Sequence, residues 1–396
     1  MDTVQWIVIA LAILGAFWAV VLLADRKYNL KKRGFSISPG LIMWRTKRGL
    51  HFIDRVSRDK RGWRIYGTVA VAFGIVLMVF VSFNLILNII YVLTQSRAVI
   101  PGVQLVLPGI VPGLSPLSWL VAIFSVLLVH EFSHGFLLRA QNLKTKSVGG
   151  LLLIAIPGAF VEPNEKQLDR APVIKRLRVF SAGAFSNVVF AVLCLGILLL
   201  LIVPKPGAYV FGVGENSPAS SINITPGMRI YSLNNFSINN PDDFESFMDR
   251  TTPGENVRVS FSGGDRTVTL ATNPNYENRG FLGLLLASAI SRWNFVNPLF
   301  VLGTSVAELL GGNVFHPYLY DALVPWTVMD IIKWMFVLNL GIGLFNLLPA
   351  VPLDGGYVLR GLLEKILSKQ RAATVTRVIS MIILALILAN FMQFLR

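Results

Sequence analysis

The sequence predicts a polytopic α-helical membrane protein with about six transmembrane helices, and three observations carry that expectation. Of its 396 residues, 54% are hydrophobic and 14% are charged, against roughly 45–50% and about 25% in an average soluble domain. Six apolar runs reach the ~20 residues that a bilayer requires: 4–24, 65–93, 117–138, 179–203, 328–348 and 376–395. The basic residues collect in alternate connections between those runs, the pattern of short cytoplasmic loops.

Residues 1–93 hold the first two spans. The first run is longer than a signal-peptide core, with no positive region before it and no small-residue cleavage site after it. It is therefore expected to stay as an anchor helix. Residues 26–64 carry thirteen Lys or Arg against two acids, residues 140–178 carry seven basic residues and residues 360–377 carry five. By contrast, residues 94–116 hold only Arg97, and the polar stretch 204–280 holds six bases against eight acids. This predicts an amino terminus outside, basic connections inside, and strict alternation to an outside carboxyl terminus, with 204–280 facing outward. The formal charge of +15 is then a matter of loops lying against anionic lipid, and no nucleic-acid partner is expected. The lone cysteine, Cys194, falls inside the fourth span and reads as a small core residue.

Chemistry enters with the third span, in residues 94–203, through "VLLVHEFSHGFLL". Ionisable groups deep in a membrane helix are costly and mark function. His130 and His134 are one helical turn apart and share a face, so both imidazoles can reach one ion. Glu131 lies beside them, offset from that face. This is the H-E-x-x-H arrangement, two zinc ligands and a general base acting on water. The alternative is polar residues that hydrogen-bond across a helix bundle.

A catalytic zinc takes three protein ligands. Glu162 and Glu165 are the nearest carboxylates downstream, but "SVGGLLLIAIPGAFVEPNE" is broken by Gly149, Gly150, Pro157, Gly158 and Pro163, which rules out a continuous helix to carry them. They are expected in a water-exposed loop. The better candidate is Asp354, in residues 326–396, within "LFNLLPAVPLDGGYVLRG". Its span runs in the same direction as the HEFSH span, so His130, His134 and Asp354 arrive at one depth. Pro349 and Pro352 interrupt the backbone before it, and irregular backbone is tolerated at membrane depth where it lines a cavity.

HEFSH, together with the N-x-x-P-x-x-x-L-D-G pattern of "NLLPAVPLDGG", resembles the site-2 proteases, the intramembrane zinc metalloproteases of regulated membrane proteolysis. The resemblance runs from about Leu117 to the end of the chain. It implies zinc ligation by His130, His134 and Asp354, with Glu131 as catalytic acid/base. "AGAFSN" resembles a further family motif, G-P-x-x-N, with Ala184 where Pro is usual. That implies a helper role for Asn187 at the reaction centre, and Asn346 is similarly placed in its own motif. Interhelical hydrogen bonding is the alternative for both asparagines. The apolar, glycine-broken segment 148–161 resembles the family's membrane-re-entrant β-hairpin, whose strand edge would bind a substrate once it is extended.

Residues 204–280 form a compositional island. "VSFSGGDRTVTLA" reads as a hairpin about a Gly-Gly turn and "NPDDFESFMDR" as a short capped helix. With "ENSPASSINITPGMRIYSLNN" they resemble a PDZ domain inserted between membrane helices, a small α+β fold. Met228 stands where Asp is common and "INI" replaces the usual Ala-Gly-Leu. Residues 281–325 read as an amphipathic segment on the outer membrane surface. The expectation is thus a multi-pass protein of the cell membrane, with its active site near the cytoplasmic side and its PDZ-like domain outside. The family implies single-span membrane substrates, such as membrane-tethered transcription factors or anti-sigma factors, trimmed first by a site-1 protease. A transporter using intramembrane His, Glu and Asp is the rival reading, and an inactive scaffold of the same fold is a third.

Overall fold

The structure is a computed structural model that describes residues 3–94, 106–154, 156–309, 312 and 314–392. Its helices in chain order are α1 (Thr3–Tyr28), α2 (Leu50–Val56), α3 (Lys60–Thr94), α4 (Pro116–Ala140), α5 (Glu165–Asp169), α6 (Val173–Leu201), α7 (Pro218–Ser221), α8 (Pro241–Met248), α9 (Pro298–Leu309), α10 (Trp326–Asn346), α11 (Asp354–Leu363) and α12 (Lys369–Met392). Among the described residues, five are long and apolar enough to cross a membrane: those of α3, α4, α6, α10 and α12. Each overlaps one of the expected spans, although α6 ends at Leu201 and α10 at Asn346, two residues before the expected bounds at 203 and 348. Several begin earlier than expected, because helical backbone continues through basic residues that an apolarity criterion leaves out. The expected first span, 4–24, falls within α1, many of whose side chains lie outside the described residues, as do residues 393–395 of the last span. Large apolar side chains such as Val76, Leu120 and Leu200 are exposed along these helices, as suits contact with lipid rather than water.

The chain divides into two compact units, one of residues 1–195 and 331–396, the other of residues 196–330. The first holds a four-stranded antiparallel sheet in the order β1 (Phe35–Ser38), β2 (Leu41–Thr46), β3 (Thr145–Leu153), β4 (Ile156–Pro163). The segment 148–161 is the β3–β4 hairpin, paired from Val148↔Val161 to Leu153↔Ile156. Gly149 is required there: a Cβ would lie 1.9 Å from the Trp44 carbonyl oxygen on β2. The β1–β2 hairpin lies in what reads as a basic loop. Its signal is the Pro39-Gly40 turn between "SIS" and "LIMW", masked by the density of Lys and Arg around it.

The core of this unit joins α2, α4, the hairpin and α6 through Ile53, Leu137, Leu138, Val148, Val161 and Val179. Gly135 allows that closeness, since a Cβ there would stand 2.9 Å from Ile53 Cδ1. A second cluster, Leu85, Leu348, Ala350 and Ile383, packs α3 and α12 against the turn that follows α10. That turn, with a cis Val351–Pro352 bond, ends α10 and starts α11 at Asp354.

The second unit has an antiparallel sheet ordered Gly264–Thr269, Asn256–Phe261, Arg229–Leu233, Ala208–Val213, Leu284–Ala287. The expected Gly-Gly hairpin pairs Gly264 with Phe261 through to Thr269 with Asn256. The expected capped helix is α8, with a reciprocal capping box between Asn240 and Asp243. The boundary placed at residue 280 is too early. Strand Leu284–Ala287 pairs with Ala208–Val213, and Leu284 and Leu286 pack on the domain core while Leu285 is exposed. The run "FLGLLLASA" looks uniformly apolar, and only pairing reveals its alternation. Within the remainder of 281–325, α9 buries Thr304, Ser305 and Glu308 and exposes Leu299 and Val306.

Candidate metal centre

Helix α4 starts at Ser115, whose side chain accepts from the Ser118 N–H, with Pro116 at the first helical position. That start sets the phase which brings His130 and His134 onto one face near the other end. The His134 Nδ1–H donates to the Val179 carbonyl of α6 at 2.8 Å. The tautomer so fixed leaves Nε2 as a bare lone pair, and that atom lies 3.2 Å from His130 Nε2. Asp354, the first residue of α11, places Oδ2 3.3 Å from each of these nitrogens.

Three donor atoms therefore form a nearly equilateral triangle. A tetrahedral ion with bonds of about 2.0–2.1 Å holds its ligand atoms about 3.3–3.4 Å apart, which these edges match. Asp354 Oδ2 is buried and has no hydrogen-bond partner, a costly state that a cation would relieve. Among the described residues this is the one group of three His, Cys, Asp or Glu side chains close enough to share a metal ion. The residues present fit a metal.

Glu131 projects from the same turn of α4, and its Oε2 accepts from the Val161 N–H of β4 at 3.0 Å. Asn187 is fully buried in α6, with Nδ2 3.5 Å from His130 Nδ1 and with Oδ1 unpartnered. Half a turn of that amide would present Oδ1 to an Nδ1–H, the tautomer that a ligating His130 needs. Asn346 ends α10 half-buried, and no hydrogen bond among the described residues joins it to the triangle. Glu162 lies on β4, not in a loop, and accepts from Ser147 Oγ at 2.6 Å and Lys146 Nζ at 3.2 Å. Those bonds, the Ser147 one foremost, hold its carboxyl below the usual range. Glu165 opens α5. Neither belongs to the triangle.

Two contributors escape sequence reasoning. A Cβ on Gly183 would lie 2.4 Å from His134 Nε2 and 2.8 Å from His130 Cε1, so α6 can close over the imidazoles only because that residue is glycine. The signal was present as the glycine of "AGAFSN". Asn339, buried on α10, donates to Ser125 Oγ on α4 at 2.9 Å, tying the helix that carries both histidines to the helix that precedes Asp354. A polar residue in the middle of an apolar span was its only trace.

The sequence profile of peptidase family M50 matches residues 118–390. An uncharacterised protein of Methanocaldococcus jannaschii is 26% identical over 364 residues, 90% of this chain and 85% of that protein. The zinc metalloprotease RasP of Shouchella clausii is 28% identical over 229 residues, 50% of this chain and 52% of RasP, so this chain spans about half of that relative. Among solved structures, the PDZ domain of an SdrC-like protein from Listeria innocua matches 20% of this chain and 92% of that domain, at 21% identity and a TM-score of 0.18.

Proposed function

Because the chain belongs to peptidase family M50, whose profile spans residues 118–390, we propose that it is a zinc endopeptidase of the site-2 type, cutting a membrane protein within or beside its transmembrane segment. The observation that carries this is the triangle of His130, His134 and Asp354 with Glu131 on the same helical turn. When bound, zinc would polarise the scissile carbonyl and lower the pKa of a water toward neutrality.

The chain's own groups supply the rest. His130, His134 and Asp354 hold the ion, and the Val179 carbonyl fixes the orientation of the His134 ring. Glu131 takes the proton from the attacking water and passes it to the leaving amine. Its carboxylate is held in place by the Val161 N–H. Asn187 orients His130 from the far side. A transmembrane helix hides its carbonyls in its own hydrogen bonds, so the substrate must be extended before attack, and the β4 edge beside Glu131 is where it would pair.

On the topology given by the basic loops, this chemistry lies near the cytoplasmic side of the cell membrane and the PDZ-like unit lies outside. Exposed Leu299 and Val306 of α9 suit the outer membrane surface expected for that segment. Single-span proteins such as membrane-tethered transcription factors or anti-sigma factors, trimmed first by a site-1 protease, are the proposed substrates.

The deciding experiment is metal content with proteolysis. Purified protein should carry about one zinc per chain, and Glu131→Gln should keep the zinc while losing cleavage by at least about a hundredfold. Metal-dependent flux across a vesicle membrane without cleavage would replace this reading with a transporter.

A further inference from the structure

Resting on the reading of the triangle as a metal centre, we propose that Arg176 and Glu364 are positioning residues, a buried clamp that fixes where Asp354 stands and hence the placement of the third ligand. His130 and His134 share one long helix, α4, so the helix itself sets their spacing. Asp354 has no such support. It opens α11, a helix of ten residues that follows the irregular turn after α10, and a helix that short is located by what it packs against.

Its contacts with α6 run in opposite order on the two helices. The Tyr357 ring stacks on Phe180 with centroids 4.9 Å apart. Gly361 lets Leu177 approach, since a Cβ there would stand 2.8 Å from Leu177 Cδ2. Glu364 meets Arg176. The helices are therefore antiparallel, and the same order leads from Tyr357 back to Asp354 and from Phe180 on to Gly183, which lies against the imidazoles. Val179, between these positions, holds the His134 ring through its carbonyl. One stretch of α6, residues 176–183, thus carries the fixed points of both the histidines and the aspartate.

The apolar packing of Leu177 against Val358 is not directional, and by itself it lets α11 slide or turn about its axis. A guanidinium–carboxylate pair does not. Nor do the helices explain the two charges. Arg176 lies near the amino end of α6 and Glu364 caps the carboxyl end of α11, each at the end where its sign is unfavourable. The neighbouring Lys175 and Arg178 are half-buried, whereas the Arg176 side chain is 10% exposed and that of Glu364 2%. Arg360, one turn earlier on α11, also donates to Glu364 at 3.2 Å. Such a buried pair seldom stabilises more than apolar residues of like size, so its contribution here is one of position.

The test uses the full chain in detergent micelles, loaded with cobalt(II), whose visible absorption responds to the number and placement of its ligands. Glu364→Gln leaves the guanidinium buried without its anion and should lower thermal stability and metal affinity together. The double variant Arg176→Met, Glu364→Met removes both charges, so its stability should return to that of the parent. Its zinc affinity should nevertheless stay about tenfold lower, with the cobalt band changed at least about twofold in intensity. Arg176→Lys keeps the charge but lacks the planar fork. It guards against misfolding of the others and should change the band in the same direction.

Recovery of affinity and spectrum together with stability in the double variant, or a parental band in every variant that folds, would overturn the clamp. Hydrogen exchange of the metal-free protein separates this from the metal reading. Loss of the clamp should speed exchange in residues 354–363 about tenfold and leave α4 unchanged. A parent that takes up neither zinc nor cobalt refutes the metal centre, and unchanged exchange in α11 then refutes the clamp as well. A parent that binds metal, with spectrum and exchange unmoved in the double variant, refutes the clamp alone.

Discussion

A methyl group on Gly183 would stand 2.4 Å from His134 Nε2, so the imidazole pair depends on a residue that contributes no side chain at all. The pair also depends on Asp354, whose buried Oδ2 finds no hydrogen-bond donor and is offset only by a cation or a shared proton. Glu162 is differently placed, its carboxylate already engaged by Ser147 and Lys146. Asp354→Ala is therefore expected to lower zinc affinity by at least about a hundredfold, as loss of one of three ligands implies, while Glu162→Ala leaves it unchanged. Metal analysis of the purified variants decides: normal zinc in Asp354→Ala with depletion in Glu162→Ala would mean that the third ligand is misassigned. Both histidines and the aspartate were legible in the sequence because their spacing and depth are one-dimensional properties. The bond from Glu131 to Val161 was not, since it joins a helix to a strand thirty positions away.

At the scale of elements, the sheet joins two hairpins that lie about a hundred residues apart in the sequence. The β1–β2 hairpin is held to β3 across Gly149, and it lends the β3–β4 hairpin the stiffness of a four-stranded sheet rather than an isolated pair. Gly149→Ala would drive a Cβ to 1.9 Å from the Trp44 carbonyl oxygen, and overpacking of that kind costs about 1–3 kcal/mol. The detached hairpin should then open to trypsin at Arg45, Lys47 and Arg48, with nicking about tenfold faster than in the parent. Unchanged nicking would show that β2 does not depend on that close approach.

For the whole molecule, the inserted unit sits in the sequence between the fourth and fifth apolar runs, and on the topology we propose from the charge of the loops it faces outward. A domain there cannot supply catalytic groups, so its proposed role is to exclude substrates whose outer part is still bulky. Because Leu284–Ala287 is a strand of its sheet, the deletion that tests this is 208–287, bridged by a flexible linker. Zinc content should be unaffected, and substrates with untrimmed outer domains should become cleavable. Continued dependence on trimming would sink the filter, and loss of zinc would assign the unit a structural role instead.

By itself the sequence determined the membrane class, five of the spans, the H-E-x-x-H helix, the distant aspartate and the hairpin between them. The first four follow from local periodicity, composition or motif spacing, which act over a few residues, and the hairpin from the family resemblance. Tertiary structure alone decided that residues 35–46 extend the hairpin into a sheet, that strand Leu284–Ala287 completes the inserted domain, and that Gly183 leaves room for the imidazoles. It also set the 3.2–3.3 Å triangle and the bond that ties Glu131 to β4. Strand partners and the closeness of two backbones are properties of pairs of segments, and nothing in either segment's own sequence states which partner it will meet.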